Sequence, residues 1–263
     1  MANIKYADPS YADASATDDD RVMLRTAAGG DARAPLVQPK GYIDGLRMVW
    51  VSGTQIQVTA GAAYIPGAKR IVELTAAATK TPALAASTWY HIYIYLNGST
   101  PDVEVVTTAP AAAYSGVART KTSDTSRRYL GSIRTTSGGA IAKFRQDGQI
   151  IKYQEIVSNY GGAVLGSGAS TTPANVACSA VVPMTSTTAL INFANFADQT
   201  VVIANSDCNY TLSSSNWIFA LNANSRLSGL IPMAPDQSIN YMMLATPSSS
   251  GLLAIVIGYQ YER

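Results

Sequence analysis

His91 is the only histidine of this 263-residue chain, so a Ser-His-Asp relay would have to use it. It lies inside the apolar and aromatic run 89–96, and no Gly-x-Ser-x-Gly sequence accompanies it to present a nucleophile on a tight turn. A histidine in such a run is typical of a strand residue held by a structural hydrogen bond. We therefore expect no catalytic residue and no enzymatic activity.

Metal ligands and cofactor-binding motifs are equally scarce in the sequence. Cys178 and Cys208 match no metal-ligand spacing, and one histidine cannot complete a zinc site with them. We expect both cysteines to be buried, reduced packing residues, although a pairing between them stays open. The acidic run 18–20 lacks the spaced ligands and the glycine of a calcium loop. We expect no metal and no cofactor.

Paired carboxylates would be needed for glycoside hydrolysis, at a separation of about 5 to 10 Å. The sequence does not say whether any two converge, and no regular repeat of the parallel β-helix kind is present. Polysaccharide cleavage is therefore the least favoured function. The C-terminal half offers four candidates: Asp198, Asp207, Asp236 and Glu262.

Binding is better supported, because aromatic rings among short polar side chains suit carbohydrates. Ring faces stack on the C–H surfaces of sugars, and Asn, Asp and Ser bond their hydroxyls. The alternative is that Tyr210 and Trp217 are core residues and that the polar ones form turns. A protein receptor such as a pilus is equally open. The candidate receptor-binding residues are Asp207, Asn209, Tyr210, Asn216 and Trp217.

The elements that would position these side chains are strands. Side chains in 89–96 alternate with a period of two, Asn97-Gly98 is a hairpin turn signal, and 102–108 supplies the returning strand. Short apolar runs in the C-terminal half are separated by turn residues at the spacing of a sandwich. The sequence predicts an all-β protein of antiparallel domains, with an N-terminal extended arm and a C-terminal β-sandwich or jelly-roll-like domain.

Four regions follow from composition and turn signals. Residues 1–40, rich in Ala, Asp, Ser and Thr, are predicted to be an attachment arm, the alternative being a terminus without fixed structure. Residues 41–147 form a compact antiparallel β domain. Residues 148–172, which follow the Asp147-Gly148 break, form a Gly- and Ser-rich linker. Residues 173–263 form the C-terminal sandwich.

Charge and hydropathy exclude several classes of partner. Charged residues are 14% of the chain and its net charge is +2, without the basic stripe that phosphate binding needs. No apolar run approaches the roughly 18 residues of a membrane helix. The N-terminal residues lack the basic and apolar regions of a secretory signal, which predicts synthesis in the cytoplasm. We expect neither nucleic-acid binding nor membrane insertion.

Three segments carry a resemblance to phage proteins. Residues 51–67 contain Gly61-Ala-Ala-Tyr-Ile65, the strand 89–96 follows, and 129–144 begins Tyr129-Leu-Gly-Ser-Ile-Arg134. This order resembles a pattern of bacteriophage tail-fibre and baseplate proteins, over about 41–147. The C-terminal half is similar in composition to their receptor-binding tips.

The resemblance implies a virion tail protein that forms a parallel homotrimer. Its arm would contact other tail or baseplate proteins, and its tip would bind a bacterial surface glycan or pilus. Only six charged residues lie between 159 and 263, which favours burial between subunits, the alternative being a monomeric sandwich. Alternative functions are a purely structural baseplate, head-fibre or capsid-decoration protein and, less favoured, a polysaccharide-cleaving tailspike.

Overall fold

The computed structural model describes residues 21–25, 31–35, 38–248 and 250–263. Antiparallel strands make up nearly all of its regular structure, joined by one 3₁₀ turn and one short helix. The all-β prediction is confirmed. No helix of the described ranges is both long enough and apolar enough to cross a membrane.

Thirteen strands of the described residues precede residue 135. They are β1 (Arg21–Arg25), β2 (Asp31–Pro35), β3 (Ile43–Gly45), β4 (Met48–Trp50), β5 (Ile56–Val58), β6 (Gly61–Ile65), β7 (Arg70–Leu74), β8 (Ala78–Lys80), β9 (Trp89–Asn97), β10 (Thr100–Val106), β11 (Pro110–Ser115), β12 (Ala118–Lys121) and β13 (Asp124–Arg134).

Ten strands and the helix follow. They are β14 (Phe144–Asp147), β15 (Ile150–Tyr153), α1 (Val157–Tyr160), β16 (Ala163–Gly168), β17 (Ala174–Ala177), β18 (Ser186–Asn195), β19 (Val201–Asn205), β20 (Phe219–Leu221), β21 (Arg226–Pro232), β22 (Ser238–Met243) and β23 (Leu252–Tyr261).

The strands of the described ranges form six antiparallel sheets. Most of the predicted arm, including the acidic run 18–20, lies outside the described residues, and within the arm β1 and β2 form a hairpin. The sheet orders are β1-β2, β3-β6-β7, β4-β5-β8, β10-β9-β13-β12-β11, β14-β15-β23-β18-β21 with β16 also paired to β23, and β17-β22-β19-β20.

The last two of these sheets pack as the predicted sandwich. Strand β23 alternates between buried and half-buried residues, and its buried side chains share one core with those of β19 and β22. The inward set includes Val256 from the six-stranded sheet and Ile203 and Tyr241 from the four-stranded sheet. This is two-layer packing of apolar sheet faces.

The linker predicted over 148–172 is wrong, because two strands of that range, β15 and β16, belong to the sandwich. Asp147-Gly148 is a hairpin turn between β14 and β15, with Gly148 in the left-handed region at φ 59°, and is no domain break. Strand β15 then pairs with β23, placing Ile151 opposite Tyr259, and β16 pairs with β23 as well. The sandwich therefore begins near residue 144.

The hydrophobic core also contradicts the predicted domain boundary, because it is continuous from the first half of the chain to the second. The Tyr259 hydroxyl donates to the Ser132 carbonyl at 2.9 Å, and the Tyr261 hydroxyl donates to the Leu130 carbonyl at 3.2 Å. The Arg263 guanidinium donates to two backbone carbonyls of the turn before β4. Buried tyrosines of the last strand thus fasten the sandwich to β13.

Candidate functional site

All five candidate receptor-binding residues lie on one loop, residues 206–218, which connects β19 to β20. Every one of the five is exposed, with Tyr210 38% and Trp217 46% accessible. The alternative that these two aromatic residues belong to the core is therefore wrong. The segment, which we call the 206–218 loop, presents two rings, two side-chain amides and one carboxylate to solvent.

Leu212 anchors the 206–218 loop to the sandwich. Its side chain is buried against Val202 and Ala204, the outward-facing residues of β19, in a small cluster separate from the main core. Cys208 and Ile218 pack around the same cluster while remaining partly accessible. The apolar run 201–204 is buried on both faces because the loop covers its outer side.

Hydrogen bonds within the loop fix its backbone around the two exposed rings. The Ser213 hydroxyl accepts from the backbone N–H of Asn216 at 3.2 Å, and the Trp217 indole N–H donates to the Ser214 carbonyl at 3.4 Å. The Cys208 thiol lies 3.2 Å from the Tyr210 carbonyl. The rings are displayed on a folded loop above a rigid sheet, an arrangement suited to binding.

The electrostatics of the 206–218 loop are mild. Asp207 is its only charged residue and accepts a hydrogen bond from the Asn205 side-chain amide. Partial desolvation and the nearby Cys208 raise the pKa of Tyr210, so its hydroxyl stays protonated and neutral at physiological pH. Such a surface offers ring stacking and short polar contacts to an uncharged ligand.

The cysteine prediction is half right. Cys178 and Cys208 are both free, so they do not pair, and Cys178 is fully buried. Burial, with a smaller effect of Asp236, raises the pKa of the Cys178 thiol to about 12. Cys208 is only partly buried, because it lies at the edge of the loop cluster.

His91 lies on β9 of the five-stranded sheet as a hydrogen-bonded strand residue. Its Nδ1 lies 2.8 Å from the Ser132 hydroxyl, which also contacts the Tyr129 hydroxyl at 2.7 Å. Tyr129 in turn lies 2.9 Å from the Thr185 hydroxyl. Burial lowers the pKa of His91 to about 4, so the ring is neutral at pH 7. A buried chain of polar groups therefore runs from β9 to Thr185, the residue before β18.

The candidate carboxylates serve turns and surface contacts. Asp198 accepts from the backbone amide and hydroxyl of Ser248, and Asp236 accepts from the hydroxyls of Ser206 and Ser238. Each of these contacts lowers the pKa of its carboxyl group. Within the described ranges, no three His, Cys, Asp or Glu side chains form a group that could hold a metal.

Sequence reasoning missed a groove between the two halves, since its residues come from distant positions. Two adjoining cavities of about 230 and 280 Å³ share Met184, Pro235 and Gln237. Trp89 and His91 line the first. The nearest signal in the sequence was the aromatic run 89–96, whose residues Trp89 and His91 line the groove. That run predicted a strand and no binding site.

No protein-family model matches the chain, and no curated protein is significantly similar to it.

Proposed function

We propose that this protein is a bacteriophage tail protein, a trimeric fibre or receptor-binding subunit that attaches the virion to the bacterial surface without catalysing a reaction. The observation that carries the proposal is the 206–218 loop. It exposes Tyr210 and Trp217 among Asn and Ser side chains on a firmly anchored turn of a β-sandwich. The resemblance of residues 41–147 to tail-fibre and baseplate proteins supports the virion setting.

A surface glycan is the receptor that this loop suits best. Two exposed rings can stack on pyranose faces, and the amides of Asn209 and Asn216 can bond ring hydroxyls. The single carboxylate of Asp207 gives no basis for recognising an anionic surface. A pilus protein is the alternative receptor, which the assay below distinguishes.

Subunit association would explain the outer face of the six-stranded sheet. Leu190 and Leu230 pair across β18 and β21 on that face, and Leu230 is 43% exposed. Leu253 and Ile255 of β23 continue the same half-buried apolar surface. Large apolar faces of this kind are typical of interfaces. The same face would serve a purely structural baseplate, head-fibre or capsid-decoration protein, which is the second candidate function.

Binding of fluorescently labelled protein to candidate host cells tests the proposal, with the mass measured by light scattering on the same sample. The double variant Tyr210→Ala/Trp217→Ala should bind at least tenfold more weakly, about 1.4 kcal/mol, because aromatic residues dominate binding energies. Tyr42→Ala is the matched control, since Tyr42 is equally exposed at 37% in the other half of the chain.

Each outcome assigns a function. A trimer that binds cells through the loop supports the receptor-binding role, and prior removal of surface polysaccharide or of pili identifies the receptor class. A trimer that binds no susceptible host favours the purely structural role. A monomer would contradict the fibre assignment, and release of oligosaccharides would indicate a tailspike.

A further inference from the structure

Strands β4 and β14 pack side by side and leave an open groove at the surface. The Met48 N–H donates to Oε1 of Gln146 at 2.7 Å, which holds the two strands together. The groove contains a cavity of about 220 Å³, and Val49, Trp50 and Phe144 supply its apolar walls. We call this surface the β4–β14 groove.

Two cationic side chains line the β4–β14 groove. Lys143 and Arg145 lie two residues apart in the sequence, and both are exposed. Neither side chain forms a hydrogen bond or an ion pair within the described ranges. The Lys143 ammonium lies 5.3 Å from the centroid of the Trp50 ring, whose indole N–H donates to the Ile141 carbonyl at 3.1 Å. The fixed ring therefore holds the ammonium beside the groove.

Arg145 lies directly opposite another cation in the sheet. It pairs with Lys152 in the ladder of β14 and β15, and the Lys152 side chain is exposed as well. Like charges directly opposite each other destabilise a sheet. Charged residues make up only 14% of the chain, so this pairing is not a result of a crowded charged surface. Local conflicts of this kind are expected at functional sites, and a bound anion would remove the repulsion.

The carboxylates close to the groove do not neutralise it. Glu155 interacts electrostatically with Lys143, but its Oε1 accepts from the backbone N–H of Ile156 at 3.0 Å and from the side-chain amide of Asn159 at 2.9 Å. Asp147 is exposed at the end of β14 and forms no ion pair within the described part of the chain. Of the described residues that line the groove, two are positively charged and none is negatively charged.

We propose that the β4–β14 groove binds an anionic saccharide, one whose sugar residues carry a carboxylate or a phosphate group. The planar guanidinium of Arg145 can bind either group through two parallel hydrogen bonds, and the Lys143 ammonium can bind a remaining oxygen. Val49, which is 40% exposed, offers an apolar contact to the C–H surface of the sugar ring. The cavity is smaller than the roughly 300 to 1,000 Å³ of enclosed small-molecule sites, so it suits one residue of a longer glycan.

The number of cations argues against nucleic acid as the ligand. DNA-binding proteins make on the order of 6 to 10 phosphate contacts, whereas the groove and its rim offer Lys143, Arg145 and Lys152. An apolar wall beside two cations suits a ligand that combines a C–H face with an anionic group in one residue, as an acidic sugar does. The site goes beyond the proposed function, because the 206–218 loop suits an uncharged ligand and lies elsewhere in the chain.

Calorimetric titration of the full-length protein with three trisaccharides tests the proposal, at 0.15 M salt so that distant charges contribute little. One trisaccharide consists of uronic acids, the second carries phosphate groups, and the third is the neutral product of reducing the carboxyl groups of the first. At least one anionic trisaccharide should bind in a saturable way and at least tenfold more tightly than the neutral one. Binding of only one of the two identifies the anionic group.

Arg145→Gln removes the bidentate donor and should weaken the binding of the anionic trisaccharide at least tenfold. Urea unfolding should show no loss of stability in this variant, because the repulsion of Lys152 is removed as well. Lys143→Gln, which removes the other cation, should weaken binding at least threefold. Arg226→Gln is the matched control, since Arg226 is an exposed arginine at the start of β21 and the change in net charge is the same. This control should bind as tightly as the unmodified protein.

The proposal is overturned if neither anionic trisaccharide binds, if the neutral one binds as tightly, or if Arg145→Gln and Arg226→Gln weaken binding equally. Tighter binding of a DNA duplex or of a triglutamate peptide would overturn it too. The loop variant Tyr210→Ala/Trp217→Ala should retain the calorimetric response. Failure here leaves the loop proposal intact, because cell binding through the 206–218 loop is measured with different variants.

Discussion

Acidification should destabilise the protein through protonation of His91. The size of this effect can be measured separately from the effects of the other titrating groups. Burial lowers the pKa of His91 from 6.5 to about 4. The folded state therefore disfavours the protonated ring, whereas the unfolded chain takes up the proton near pH 6.5. The contribution of neutral His91 to the free energy of unfolding is fully present above pH 6.5, falls as the pH drops towards 4, and changes no further below that value.

The size of the effect follows from the shift. Each pKa unit corresponds to about 1.36 kcal/mol, so a shift of this size lowers the free energy of unfolding by about 3 kcal/mol between pH 7 and pH 4. Carboxyl groups titrate over the same range, and Asp236 lines the same groove. Comparison with a variant that cannot titrate at position 91 cancels the contribution of these carboxyl groups.

Urea unfolding of the wild type and of His91→Asn, at pH 7, 5.5 and 4, measures the difference. Asn can keep the hydrogen bond to Ser132 that Nδ1 makes, and it stays neutral throughout. The wild type should lose about 3 kcal/mol more than the variant on going from pH 7 to pH 4. Equal losses, or an NMR pKa of His91 near 6.5, would refute the burial argument.

Three further predictions concern thiols, a glycine and the loop anchor. Native protein should react with a thiol reagent at Cys208 alone, because Cys178 is buried and its thiol pKa is about 12; two reactive thiols before unfolding would contradict this. Gly258→Ala should lower the free energy of unfolding in urea by about 1 to 3 kcal/mol, because the added Cβ would lie 2.4 Å from the Ile151 carbonyl oxygen. Gly166 has open space around it, so the control Gly166→Ala should change that free energy by less than about 0.5 kcal/mol. Leu212→Ala should accelerate proteolysis within 206–218 and hydrogen exchange there without increasing exchange in β23; unchanged loop exchange would show that Leu212 is no anchor.

Local signals in the sequence predicted local structure well. The hairpin of β9 and β10 forms around Gly98, which has the left-handed backbone that the Asn-Gly signal indicates, and β10 covers most of the predicted returning strand 102–108. The short apolar runs between turn residues also correspond to most strands of the C-terminal half. These features depend on residues close together in the chain, which a sequence displays directly.

Pairings between distant residues were beyond sequence reasoning. Gly- and Ser-rich composition indicated a linker, but β16 gains its partner from β23, which follows it by some eighty residues. Arg128 is a different case, since it is fully buried although charged residues are rarely so. Its Nη1 donates to the carbonyls of Arg119 and Tyr129, an arrangement that only the folded sheet creates.

The two candidate sites also differ in how far apart their residues lie in the sequence. The five loop residues are neighbours in sequence, so composition alone was enough to place them together at one surface. The groove between the two halves joins β9, the start of β18 and the turn before β22, and no short motif connects Trp89 with Gln237. A site assembled from remote segments becomes visible only when tertiary structure is known.

The position of β23 explains why the groove exists at all. This strand pairs with β15, β16 and β18, while its Tyr259 and Tyr261 hydroxyls bond to the backbone of β13 in the first half. Both tyrosines are buried, so separating the halves would break two hydrogen bonds, each worth about 1 kcal/mol net, and would expose both rings to water. Trp89 on one half and Gln237 on the other, which line the two sides of the groove, are therefore held at a fixed separation.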